Sequence, residues 1–156
     1  MSLAGQVRTH DGSVALDLAL QSLTGPGKIF VAASGNEGSD PIHAETFIGQ
    51  NGFADFQFRV PSYTPSGAGN DVVSTEAWYD GAFNATVTVT LPNGTSLGPV
   101  ARGATLEQNT ASGRVEITHG LYGVNGDSFI YVDIWDAFSN QPPAQGTWKV
   151  RIQRPA

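Results

Sequence analysis

The sequence contains no cysteine. Disulfides and thiolate zinc sites are excluded, so the fold must be held by packing and hydrogen bonds alone. Charge is scarce: 14% of residues are Asp, Glu, Lys or Arg, against roughly 25% in an average soluble domain. Basic residues are the scarcer sign, 8 against 14 acidic, for a net charge of −6. A nucleic-acid binder shows a basic stripe, so nucleic acid is not an expected partner. Long apolar runs are missing as well. None approaches the ~20 residues of a membrane span, and no positively charged start leads into an apolar stretch, so neither a membrane span nor a signal peptide is expected in this chain. Met1-Ser2-Leu3 reads as an expression remnant.

What is present is a chain of 156 residues, enough for one ordinary domain, or one domain plus a fragment of another. It can bury a core without staples. With 19 glycines and 9 prolines it is rich in turns but stays below low-complexity composition. No internal repeat is visible.

Two unlike parts follow one another, and the division is expected at residues 1–48 and 49–156. In the first, Asp11-Gly12-Ser13 can start a helix, with Ser13 the expected N-cap. Leu16, Ala19, Leu20 and Leu23 then fall at helical spacing. Gly25-Pro26-Gly27 stops it, with glycine in the left-handed cap and proline refusing further helix. Lys28-Ile29-Phe30-Val31-Ala32-Ala33 is a short apolar run that suits a strand buried on both faces of a parallel sheet. Ser34-Gly35-Asn36-Glu37-Gly38 is the turn at its end. This part reads as a helix-strand slice of an α/β sheet.

From Phe53 onward the period becomes two. Strands are expected over 53–60, 72–79, 84–91, 104–108, 114–119, 128–135 and 147–153, with Asn93-Gly94 as a hairpin turn and 140–146 as a loop. Seven or so short strands, with no second helix, read as an antiparallel β-sandwich or jelly roll. The expected fold class is mainly β: that sandwich preceded by the helix-strand piece. A single helix and one doubly buried strand cannot close a parallel sheet. The chain is therefore expected to be a piece of a larger protein, or its first part to pack on the sandwich. Left alone, the 29–33 strand is expected to add to a sandwich edge or to pair with another copy, giving a homo-oligomer.

Phe30-Val31-Ala32-Ala33-Ser34-Gly35-Asn36-Glu37-Gly38 resembles the segment of subtilisin-like serine proteases that holds the oxyanion-hole asparagine. Asp11-Gly12-Ser13, the helix and the Gly25-Pro26-Gly27 break stand where that family has its substrate-side loop and the helix leading to the strand. Thr9-His10-Asp11-Gly12-Ser13 and His43-Ala44 resemble one branch in particular, the subtilases with a jelly roll inserted between that asparagine and the nucleophilic serine, as in clostridial germination proteases. Glu76-Ala77-Trp78-Tyr79-Asp80, Leu91-Pro92-Asn93-Gly94 and Gly146-Thr147-Trp148-Lys149-Val150 resemble strands and turns of such insertions. The resemblance is specific around residues 28–38 and loose after residue 50. It implies that Asn36 donates to the oxyanion of a peptide carbonyl under attack. A side-chain amide held at a strand end does so without reorganising during the reaction. Gly35 and Gly38 then let the chain turn and the substrate backbone approach.

A protease of this type also needs an aspartate, a histidine and a serine in that chain order. Asp-Ser-Gly and Asp-Thr-Gly occur nowhere. Gly94-Thr95-Ser96-Leu97-Gly98-Pro99 looks like the nucleophile motif, but its proline comes three places after the serine rather than four, and it follows an Asn-Gly turn, so it reads as a hairpin. His119-Gly120 lacks the continuation of the family's histidine motif, and His10 reads as a loop residue. The triad is therefore expected outside this chain, and the fragment alone is expected to be inactive. The implied partners are the rest of the parent protease domain and a peptide or protein substrate. No cofactor is expected. Asp127, Asp133 and Asp136 with Asn125 and Asn140 are candidate calcium oxygens that read better as a solvated edge. Trp78, Tyr79, Trp135 and Trp148 are candidates for a sugar or peptide platform that read better as core and rim. Two competing functions stand beside the protease fragment: a non-enzymatic β-sandwich binding module, and a scaffold piece of a triad-less protease homologue. A secreted or cell-surface parent is compatible with the lack of cysteine.

Overall fold

The computed structural model describes residues 11–29, 31, 39–40, 42–66, 69–136 and 141–156. The chain divides into two compact units, Met1–Glu45 and Thr46–Ala156. In the first, helix α1 spans Ala15–Leu23, where the apolar spacing places it. Its N-cap is Val14, not Ser13, and no side chain caps it. The reason is local: the Asp11 carboxylate accepts the Ser13 N–H at 2.9 Å, an Asx turn that holds Ser13 outside the helix. At the other end the C-cap Thr24 donates both its N–H and its hydroxyl to the Gln21 carbonyl. No glycine caps α1. The left-handed residue is Gly27 (φ 75°), inside a turn closed by Lys28 N–H on Gly25 O at 2.9 Å. Proline followed by a left-handed glycine is the pattern of a type II turn.

The expected strand over 28–33 is only partly within view. Phe30, Ala32 and Ala33 lie outside the described residues. Ile29 and Val31 belong to no ladder and are 92% and 79% exposed.

Among the described residues of the second unit, eight strands form two antiparallel sheets. They are β1 (Phe53–Val60), β2 (Val72–Tyr79), β3 (Thr86–Thr90), β4 (Ser96–Ala101), β5 (Ala104–Thr110), β6 (Gly113–Leu121), β7 (Ser128–Trp135) and β8 (Gly146–Gln153). Sheet I has the order β1-β8-β3-β4 and sheet II the order β2-β7-β6-β5. The chain crosses between sheets after β1, β2, β4 and β7, and stays within one sheet at the β3–β4, β5–β6 and β6–β7 connections. The fold class is thus a mainly β sandwich preceded by a helix.

Period-two patterning builds the core. β6 and β7 alternate buried and half-buried residues along nearly their whole lengths, because every second side chain of a strand faces the same way. Val115, Ile117, Ile130, Val132 and Ile134 from sheet II meet Val87, Val89, Val150, Ile152 and Trp148 from sheet I. Trp148 is fully buried, stacks on Phe58 and donates its indole N–H to Ala144 O at 3.0 Å. The strand absent from the sequence expectation is β4. It carries Gly98 and Pro99, and its ladder with β3 shifts register between Val87 and Val89. Proline is confined to sheet edges and bulges, and β4 is the edge of sheet I.

Candidate functional site

The helix and the Gly25–Lys28 turn lead toward the segment with the implied oxyanion asparagine. Asn36, Gly35 and Gly38 all lie outside the described residues.

The described residues do place the other candidates. Gly94-Thr95-Ser96 is the β3–β4 hairpin: Gly94 N–H donates to Leu91 O at 2.9 Å and Leu91 N–H to Thr95 O at 2.8 Å. The Ser96 hydroxyl shares a hydrogen bond with Thr90 at 3.0 Å, a cross-strand neighbour in that hairpin. A threonine hydroxyl is no general base, so nothing here activates Ser96. His119 is turned inward from β6 and is 1% exposed. Its ring nitrogens meet the Tyr79 hydroxyl at 2.6 Å and Val100 O at 3.2 Å.

The calcium candidates are spread along the sandwich. Asp127 sits in the β6–β7 turn with Asn125, whose side chain both donates to it and accepts its N–H. Asp133 lies mid-strand on β7 and accepts the Ser74 hydroxyl at 2.5 Å. Asp136 follows β7 and is buried, accepting the Asp71 N–H at 3.2 Å. Asn140 lies outside the described residues. Among the described residues no group of three or more His, Cys, Asp or Glu side chains is placed to hold a metal.

The aromatic candidates separate by parity. Trp148 and Tyr79 face inward; Trp78 and Trp135 stand on the outer face of sheet II. There Trp78 joins Tyr122, Phe129 and Tyr131 at centroid distances of 5.5, 5.8 and 6.1 Å. Gly120, opposite Phe129 in the ladder, leaves room for that ring: a β-carbon there would lie 2.4 Å from Phe129 Cζ. Arg114 covers Trp135 at 5.4 Å and pairs with Glu107. In the rows nearest this cluster stand Glu76, Asp133 and Glu116, with Asp133 directly opposite Glu116. Tyr122, Phe129 and Tyr131 were not among the sequence candidates. The signal for Phe129 and Tyr131 was their odd positions on β7, opposite in parity to the core residues Ile130, Val132 and Ile134; Tyr122 lies in the β6–β7 connection.

The outer face of sheet I differs. Asp55 accepts two hydrogen bonds from Arg151, at 2.6 and 2.7 Å, with Lys149 at 3.7 Å. The Arg151 hydrogen bond holds the Asp55 carboxyl below the usual aspartate range, partly opposed by burial. Threonines 86, 88 and 90 continue the face across β3. At one end of the sandwich a shallow cleft is lined by Tyr63, Pro65, Pro142, Pro143 and Gln145. The Tyr63 hydroxyl donates to Pro143 O at 2.8 Å. Burial, with Asp71 and Asp136 nearby, pushes that phenol above its ordinary value.

No protein-family profile and no curated sequence matches the chain. Its fold is similar to that of the CspB protease of Clostridium perfringens, with a TM-score of 0.79 and 18% sequence identity. That similarity covers 98% of this chain and 31% of the protease, so the chain spans about a third of the length of its structural neighbour.

Proposed function

We propose that this chain is a piece of a subtilisin-like serine endopeptidase, joining the oxyanion-hole segment to an accessory β-sandwich. The observation that carries the reading is the likeness to a protease over 98% of the chain and only 31% of the neighbour. It is joined by the order helix, turn, apolar run and Ser34-Gly35-Asn36-Glu37-Gly38. In the parent, a serine outside this chain attacks a peptide carbonyl, and the Asn36 side-chain amide donates to the oxygen that gains negative charge. The donor acts because it is already oriented when the charge appears. In the parent the sandwich governs substrate access or assembly.

The test uses the full-length gene product. Asn36→Ala should lower kcat by about 10²–10³ with KM nearly unchanged, the range known for losing one oxyanion donor from a subtilisin. The 156-residue chain alone should not cleave a peptide substrate. Unchanged kcat in Asn36→Ala, or turnover by the fragment that disappears in Ser96→Ala, overturns the proposal. The aromatic outer face of sheet II favours the second reading, a binding module. Flanking gene sequence without aspartate, histidine and serine motifs of the family would leave that reading in place.

A further inference from the structure

His119 is a buried ionisable group for which the proposed chemistry has no use. It links the two sheets. Nδ1 lies 3.2 Å from the carbonyl oxygen of Val100, on β4 of sheet I. Nε2 lies 2.6 Å from the hydroxyl of Tyr79, on β2 of sheet II. A carbonyl can only accept, so Nδ1 carries the hydrogen. Nε2 of the neutral ring is then bare, and the Tyr79 hydroxyl donates to it. Both nitrogens are satisfied in one tautomer and one charge state.

The surroundings resist a second charge. The Tyr79 hydroxyl from β2 and the Val100 carbonyl from β4 meet the ring, and the ladder neighbours of His119 are the uncharged Ile130 on β7 and Ala104 on β5. The charge that bears on it is the Arg102 guanidinium, in the turn between β4 and β5. That group is anchored on Gly81 O, Phe83 O, Asn84 Oδ1 and the Ser128 hydroxyl. Among the described residues no carboxylate is placed to compensate an imidazolium. Burial pushes the ring's pKa below the ordinary 6.5, and Arg102 adds to this, while the bond to Val100 opposes it.

Protonation adds a hydrogen at Nε2. The Tyr79 hydroxyl must then turn to accept, and its own hydrogen loses its acceptor. A second cation is also buried near Arg102, which is costly without a counter-ion. The easiest relief is movement of β4. It is an edge strand, held in its sheet by β3 through a ladder with a register shift. The adjoining turn is tied to β6 by Gly103 N–H on His119 O at 2.7 Å.

We infer that His119 is an acid-sensitive latch between the sheets, whose protonation releases β4 and the β4–β5 turn and uncovers Leu97 and Val100. The inference is independent of the protease reading.

Amide exchange on the whole chain between pH 8 and 5, corrected for the intrinsic rate of each amide, tests it. Protection of β4 and Gly103 should fall at least tenfold more than that of β7 and β8 as the pH drops below 6.5. In His119→Gln, which hydrogen-bonds but does not titrate here, that difference should vanish. Imidazole nitrogen shifts of the unaltered chain need no variant: they should show hydrogen on Nδ1 at pH 7.5 and a titration midpoint below 6.5. A midpoint at or above 6.5, an acid response that survives in His119→Gln, or equal loss across all eight strands overturns the latch.

Discussion

Both units place apolar residues at regular spacing, helical in one and period two in the other, and treat them differently. In Thr46–Ala156, Val87, Val89, Val115, Ile117, Ile134 and Trp148 are all 0% exposed. In Met1–Glu45, helix α1 buries none of its residues, and Leu16, Leu23 and Ile29 are 52%, 64% and 92% exposed. Spacing fixes which way side chains point, and both units obey it. Burial needs a second layer to receive them. Sheets I and II are that layer for each other, whereas no described residue of the first unit supplies one for α1. An uncovered apolar helix stripe is what a slice of an α/β domain would show when the rest of its sheet is elsewhere, and on that ground the contrast supports the fragment proposal.

Four substitutions would break or sharpen this contrast. The largest effect is expected from Trp148→Ala, which empties the centre of the sandwich and strips the stacked partner from Phe58. Loss of a core tryptophan costs about 3–5 kcal/mol, so the denaturant midpoint should drop steeply or cooperative unfolding disappear. A change under 1 kcal/mol would mean that the two sheets do not share one core. Gly81→Ala comes next. A β-carbon at Gly81 would lie 1.8 Å from the backbone oxygen of Gly126, and no side-chain rotation relieves a clash with backbone. Overpacking of this kind costs about 1–3 kcal/mol, to be read from urea unfolding; wild-type stability would show that this loop pair yields freely. The smallest effect is expected from Leu16→Ala and Leu23→Ala. Surface changes stay within about 0.5 kcal/mol, and alanine is itself a strong helix former. A destabilisation of several kcal/mol in either variant would show that the α1 stripe is covered in solution.

The pH response of the sandwich follows from His119. Well above pH 6.5 His119 is neutral whether the chain is folded or not, and its ionisation leaves stability unchanged. Below that value the unfolded chain takes up a proton that the folded sandwich resists, so stability falls with pH.

Much of the sandwich was legible in the sequence. The ranges 53–60, 72–79 and 128–135 coincide with β1, β2 and β7, because short runs rich in β-branched and aromatic residues, bounded by turn residues, suit the extended backbone. β4 was not, since Gly98 and Pro99 interrupt its alternation and only pairing with β3 makes it a strand. The helix was legible, its cap was not: Ser13 has the right chemistry, but the Asp11 carboxylate reached its N–H first. The resemblance around Asn36 came from local order alone, and that segment lies outside the described residues.

By itself the sequence determined the period of each segment, and with it the helix, most strands and the inward-facing set, because these follow from local geometry that each residue carries wherever the chain goes. Tertiary structure alone decided that Tyr79, 40 residues from His119, would supply its hydrogen, that Val100 would receive one from it, and that Trp78 would join Phe129 and Tyr131 outside while Trp148 went to the core. Such contacts arise from strands distant along the chain meeting in one order and register, which no single segment specifies.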